Sequence, residues 1–378
     1  MIPKNACLVG RVFVPGAGPC VARLDGERLI DVTAAFPTMR DLCESANPAA
    51  AVKAAKGQDL GSITTILANT SPDTRNKSKP WLLAPVDLQA IKAAGVTFVV
   101  SMLERVIEEK ARGDANAAIS IREHIKDLVG DDLRKLKPGS PEAAALKETL
   151  IKAGAWSQYL EVGIGPDAEI FTKGQPMSAV GSMMDVGVHP KSTWNNPEPE
   201  VVLVVSSKGK IVGASLGNDV NLRDVEGRSA LLLGKAKDNN AATAIGPFVR
   251  LFDESFSLDI VRKMELSLTV EGTDGFTMKG RSSIAEISRD PADLVAQTIN
   301  AHHHYPDGFV LFLGTMFAPS DDRDVPGRGF THKTGDIVTI ATAELGALVN
   351  RVVPTDKAEA WTFGAAELMR NLAGRGLI

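Results

Sequence analysis

Two β-rich runs stand out in the hydropathy pattern. Val201-Val-Leu-Val-Val205 is uninterruptedly apolar, and Ile211 to Leu216 follows it after Ser207-Lys-Gly-Lys210. That polar link, with Lys208-Gly209 as a two-residue centre, predicts a tight β-hairpin. Near the N-terminus, Leu8 to Val14 and Cys20 to Leu24 flank Pro15-Gly-Ala-Gly-Pro19 and predict another hairpin, with Arg28 to Val32 as a further strand. Later strands are expected at Met264 to Glu271, Phe309 to Phe312 and Ile337 to Ile340. Helices are expected near Asp87 to Ala94 and in charged segments between about Ser101 and Gly154. One of these starts at Ser140-Pro141, with Ser as N-cap and Pro as first helical residue. Pro291 to Asn300 reads as another helix, capped by Asp290. After about Ile170 no regular alternation of helix and strand remains, which argues against a doubly wound sheet.

The polar, proline-bounded stretch Ser71 to Pro80 divides the chain. Residues 1–80 are expected to form a small N-terminal domain with its linker, and residues 81–378 a larger, mostly β catalytic domain. The whole chain has 378 residues, 44% hydrophobic and 23% charged, with a net charge of -4. Such a balance gives no electrostatic case for nucleic acid or for an anionic membrane surface. No apolar run approaches a transmembrane length, and the first residues lack the pattern of a signal peptide. Cys7, Cys20 and Cys43 have no zinc-type spacing, so a cytoplasmic protein is expected.

The hairpin carries the candidate chemistry. Folding about Lys208-Gly209 pairs residues whose numbers sum to 417, which sets Glu198 opposite Asp219. Glu200 shares the face of Glu198, because strand side chains repeat every second residue. Three carboxylates on one patch repel unless a cation joins them. An all-oxygen set suits a hard ion such as Mg²⁺, with Mn²⁺ or Ca²⁺ as substitutes. A solvated acidic strand edge is the plain alternative, and a β-bulge would move Asp219 off the patch. The apolar run beside the acids favours burial, where unpaired carboxylates are costly.

Other motifs carry less. Gly213-Ala-Ser-Leu-Gly217 matches the serine-hydrolase elbow in letters, but Ser215 falls inside a predicted strand instead of a strand-to-helix turn. His302, His303 and His304 are consecutive and point in different directions. Lys237 lies in a stretch of small and polar residues that suits a loop near a ligand. Desolvation beside a metal would lower its pKa and make it a usable base.

These residues resemble the fumarylacetoacetate hydrolase superfamily. The matching pieces are Trp194-Asn-Asn-Pro-Glu-Pro-Glu200, Gly217-Asn-Asp-Val-Asn-Leu-Arg-Asp224, the Lys237 loop through Gly246-Pro247, Leu313-Gly-Thr315 and Gly335-Asp-Ile-Val. The resemblance implies an α+β, mostly β fold: a mixed β-roll catalytic domain with a small N-terminal α/β domain. It also implies a Mg²⁺-type ion on Glu198, Glu200 and Asp219, and a homodimer or homotetramer. Within the superfamily the chain is most similar to the 2-keto-3-deoxy-pentonate dehydratases, through Gly95-Val-Thr-Phe98, Ser101, Arg105, Glu108 and Pro166-Asp-Ala-Glu-Ile-Phe-Thr-Lys173. That likeness places active-site residues on Glu169 and Lys237.

The activity so implied is Mg²⁺-dependent dehydration of a 2-oxo sugar acid to 2,5-dioxopentanoate. Lys237 and Glu169, helped by Glu108, would move the protons; Ser101, Arg105 and Thr315 would hold the substrate. The rival is C–C hydrolysis of a 2,4-diketo acid. Hydrolases of the superfamily often use a histidine–glutamate dyad, whereas this chain has Arg105-Val-Ile-Glu108 in the matching stretch. His124 is one histidine left to arrive from elsewhere in the fold.

Overall fold

The computed structural model describes residues 2–112, 136–152, 156–317, 319, 321–324 and 329–378. Its main sheet has the order β4-β3-β2-β1-β13-β11-β10-β16-β6-β7. In chain order these strands are β1 (Leu8–Val14), β2 (Gly18–Asp25), β3 (Arg28–Asp31), β4 (Gln58–Ser62), β6 (Ala90–Gly95), β7 (Glu169–Gly174), β10 (Pro199–Val205), β11 (Ile211–Asp219), β13 (Thr243–Leu251) and β16 (Phe309–Phe312), with β5 (Trp81–Leu83) paired to β1. Among the described strands, β16 and β6 are its one parallel pair. A second sheet, in the order β15-β14-β17-β18-β8, uses β8 (Asp185–Val188), β14 (Glu265–Glu271), β15 (Thr277–Ser283), β17 (Ile337–Thr342) and β18 (Gly346–Pro354), and β9 (Asn195–Asn196) pairs with β12 (Asn221–Leu222) in a third. The mostly β, mixed-sheet fold expected from the sequence is what forms.

Hydrophobic patterning explains the layering. Every residue of β10 is buried, whereas β14 alternates buried and exposed positions. Val201, Leu203 and Val205 face the second sheet and pack with Leu266, Leu268 and Ile340. Val202 and Val204 face the other way, into a cluster with Met39, Leu42 and Val52. A strand covered on both faces reads as a continuous apolar run; one covered on a single face alternates.

The N-terminal hairpin and third strand form as expected, and β1 continues the main sheet by pairing with β13. The first 80 residues contribute Leu8, Val12, Leu29, Ile63 and Ile66 to an apolar cluster that also takes in Leu82 and Phe248. Helices form at Val99–Lys110 and at Pro141–Lys152, where Ser140 Oγ accepts from the Ala143 amide. The helix Pro291–Thr298 is capped by Asp290. One expectation fails: Asp87 to Ala94 is no helix, because Ala90–Gly95 is strand β6. Alanine and lysine favour helices locally, but β16 and β7 bond to both edges of this segment, and Ile91 and Ala93 fill the core.

Candidate active site

The acidic hairpin forms with the expected register, by an unexpected route. The turn spans Ser206 to Gly209, whose amide donates to the Ser206 carbonyl, and Gly209 takes φ +75°. Val205 therefore faces Ile211, one step out of the anticipated pairing. A β-bulge between Val204 and Val205 then restores it, so that Val204 faces Gly213 and Glu200 faces Gly217. The bulge sets the register instead of breaking it. At the far end the Asp219 amide donates to the Glu198 carbonyl at 3.1 Å.

Oxygens of Glu198, Glu200 and Asp219 lie within 4.8 Å of one another, and all three residues are buried. Lys237 joins two of them, and each has a partner of its own. Glu198 Oε1 accepts from Arg105 at 2.6 Å and Oε2 from Lys237 Nζ at 2.7 Å. Asp219 meets Lys237 Nζ at 3.1 Å and Lys173 Nζ at 3.2 Å. Glu200 Oε2 accepts the Gly314 amide at 2.6 Å. Opposite Glu200, a Cβ on Gly217 would stand 2.3 Å from the Phe312 ring, so glycine there lets the strands close.

A cavity of about 30 Å³ adjoins the acids, room for one or two waters. It is lined by Ser101, Arg105, Glu169, Glu198, Glu200, Asp219, Lys237 and Thr315, and also by Glu226 and Phe171. Eight of the nine residues singled out from the sequence thus meet at one place. The side chain of the ninth, Glu108, lies outside the described residues, as does His124. Among the described residues no histidine lines the cavity. Ser215 is buried in β11 and donates to the Phe248 carbonyl at 2.9 Å, and His302 to His304 are exposed; neither motif reaches the site.

Among the described residues, five carboxyl groups (Glu169, Glu198, Glu200, Asp219 and Glu226) and three cations (Arg105, Lys173 and Lys237) stand around this cavity and its direct ion pairs. Fully ionised, the set lacks two positive charges, the charge of one divalent ion. Without that ion, protons make up the difference. Burial, with Asp219 and Glu198 nearby, pushes the Glu200 carboxyl well above its ordinary range. Burial and Glu226 push Glu169 up to about 7. Burial also acts on Glu198, but Lys237 and Arg105 outweigh it and hold that carboxyl low. Burial alone would lower Lys237; the carboxylates of Asp219, Glu198 and Glu226 overcome it and raise the ammonium above its usual value. Lys237 is thus a firmly protonated cation when no metal is bound, opposite in sign to the expectation for a metal-loaded site. The donor set, its charge deficit and its burial all fit a hard divalent ion.

Strand β7 delivers Glu169 directly across from Gly95. A Cβ on Gly95 would lie 1.9 Å from Glu169 Oε2, so Gly95→Ala is expected to displace the carboxyl. Turnover in that variant should drop about 100-fold, as a misplacement near 1 Å can cause, with Mg²⁺ affinity retained; normal kinetics would mean that Glu169 has no part in the reaction. Lys237 ends a short helix, Leu233–Lys237, where a loop was expected. Arg105, expected to contact the substrate, pairs its guanidinium with Glu198 and with Glu226, the latter at 2.9 Å. Glu226 and the role of Lys173 were missed. Lys173 follows Glu169 by four residues on the same strand, a signal that could have been used. No periodicity marks Glu226, which ends the four-residue helix Arg223–Glu226.

Residues 146–353 match the family model for the fumarylacetoacetate (FAA) hydrolase C-terminal domain. The chain belongs to the fumarylacetoacetate hydrolase family. Over 272 residues it is 31% identical to a 2-dehydro-3-deoxy-D-arabinonate dehydratase of Saccharolobus solfataricus, covering 67% of this chain and 86% of the relative. A probable 2-keto-3-deoxyxylonate dehydratase of Haloferax volcanii is 30% identical over 194 residues, 51% of this chain and 63% of that one. The fold is shared with a 2-keto-3-deoxy-D-arabinonate dehydratase solved with magnesium and 2,5-dioxopentanoate, at a TM-score of 0.63 and 20% identity, over 92% of this chain and 99% of the other. The family read from the motifs is therefore correct, and the curated relatives carry dehydratase names. Among the described residues no helix is long and apolar enough to cross a membrane.

Proposed function

We propose that this chain dehydrates a 2-dehydro-3-deoxy-D-pentonate, such as the arabinonate or xylonate, to 2,5-dioxopentanoate and water. One observation carries the reading: three buried carboxylates share a cavity with Lys237 and Glu169, in a chain whose 31%-identical relative is such a dehydratase. Glu198, Glu200 and Asp219 would hold Mg²⁺, with Mn²⁺ or Ca²⁺ as substitutes. When bound, that ion supplies a Lewis acid for the keto acid.

The proton movements close a cycle. Lys237, deprotonated once the carboxylates are neutralised otherwise, takes a proton from C3 at Nζ. Glu169 gives its proton to the departing C4 hydroxyl, which leaves as water. The C3=C4 product still carries its C5 hydroxyl. Glu169, now ionised, removes a proton from C5, and Lys237 returns its proton to C3, leaving an enol across C4 and C5; the enol hydroxyl then loses its proton and C4 gains one, which gives the aldehyde at C5. Both side chains end as they began. Ser101, Thr315 and Arg105 would orient the substrate.

Incubation of purified protein and Mg²⁺ with 2-keto-3-deoxy-pentonate should yield an aldehyde. Pyruvate and an acid released from acylpyruvates, with no aldehyde from the pentonate, would favour the hydrolase reading instead. Light scattering would test the homodimer or homotetramer proposed here. A reducing cytoplasm suits the three buried free thiols.

The Glu169 proton has its own test. In metal-free protein one component of the protonated-carboxyl C=O band should vanish between about pH 6 and about pH 8, and that component should be missing from Glu169→Gln. The folded-state value, about 7, lies above the ordinary 4.5, so the stability of the fold falls as the pH rises from about 4.5 through about 7. A bound dication favours the ionised form and should move the midpoint down. A midpoint near the ordinary value would contradict the burial argument.

A further inference from the structure

One carboxylate in the cavity has no place in the scheme above. Glu226 is buried and lines the same space as Glu169, yet it falls outside the three-acid cluster. Its helix is fixed from several sides. The Asp224 carboxylate accepts from Ser192 Oγ at 2.7 Å and from the Thr193 amide at 2.8 Å. Arg223 lies over the Trp194 ring at 4.3 Å. Arg105 bridges Glu226 to Glu198, which ties its position to the acids.

We propose that Glu226 determines specificity, accepting a hydrogen bond from the terminal hydroxyl of the substrate and so selecting hydroxylated keto acids over alkyl ones. This rests on the dehydratase reading. A carboxylate is an acceptor only, so it rewards a hydroxyl donor, whereas an alkyl tail in that place would displace water from a buried carboxylate and return no hydrogen bond, its pairing with Arg105 being the same in both cases. Among the described residues the cavity wall offers an alkyl chain the side chains of Ala94, Val96 and Phe171, while its other side chains are polar or charged.

Two acids that cannot lose water isolate the effect from turnover: 5-hydroxy-2-oxopentanoate and 2-oxopentanoate differ only in the terminal hydroxyl. Calorimetry with Mg²⁺ present should show the hydroxylated acid binding wild type about 10-fold or more tighter, the worth of a hydrogen bond to a charged group. Glu226→Ala should erase that ratio. Glu226→Gln, which keeps a carbonyl acceptor and the side-chain shape, should retain part of it. Equal binding by wild type, a ratio that survives in Glu226→Ala, or an equal loss for both acids, as a mere strut for Arg105 would give, each overturns the proposal. If wild type discriminates between the acids but does not dehydrate the pentonate, the dehydratase reading fails while Glu226 keeps its role.

Discussion

Lys237→Ala is expected to lose about 10²- to 10⁴-fold in turnover, the range for a positioned proton-transfer group, while Mg²⁺ binding persists and tightens. Lys237 Nζ occupies the space between Glu198 and Asp219, at 2.7 and 3.1 Å, where it competes with any ion for the same oxygens. Removing it frees those oxygens. Without metal the variant should be less stable by about 3–5 kcal/mol, since breaking a buried ion pair strands its partner charges. Arg105 on Glu198 and Lys173 on Asp219 remain and limit the loss. Steady-state kinetics, Mg²⁺ titration and melting curves with and without metal test the three effects separately. Near-normal turnover would take the lysine out of the mechanism.

Glu200→Gln should behave in the opposite way. Glu200 is held by the Gly314 amide and has no lysine or arginine bonded to it among the described residues. Its carboxyl is pushed well above the ordinary range by burial and by its two acidic neighbours, so the metal-free protein carries it protonated and nearly isosteric with glutamine. The metal-free melting temperature should therefore hold or rise slightly. What disappears is the stabilisation by Mg²⁺, about 2.7 kcal/mol for wild type at an ion concentration 100 times the Kd. Activity disappears with it. An unchanged Mg²⁺ isotherm would refute the three-carboxylate site.

The contrast between these variants shows what the cluster does. Glu198 and Asp219 are charge-compensated by the protein itself; Glu200 is compensated by a proton or by the ion. Metal loading on this account exchanges protons and an ammonium for a dication at nearly constant net charge. Such an exchange lets one buried pocket exist both empty and filled.

The acids, the lysine and Glu169 were legible in the sequence because they stand on or beside local elements. Strand alternation puts Glu198 and Glu200 on one face, and the hairpin brings Asp219 across. Even so, the pairing was reached through two offsetting departures: the turn sits one residue early, and the bulge adds the residue back. Family motifs supplied Glu169 and Lys237, whose meeting spans β7 and a helical turn far along the chain. Asp87 to Ala94 was misread because helix propensity is local, whereas strand β6 is created by partners about 80 residues later at Glu169–Gly174 and about 220 later at Phe309–Phe312.

Periodicity and motif order in the chain determined the β-rich class, the acidic hairpin and the family, all features written within short reach of the backbone. Tertiary structure alone decided the charge state of the site. Arg105, Lys173 and Glu226 arrive from three separate elements, and their burial together sets which carboxyls keep protons and which are ionised. Ionisation in a low-dielectric interior depends on what lies across a few ångströms of space, and sequence separation carries no record of that distance.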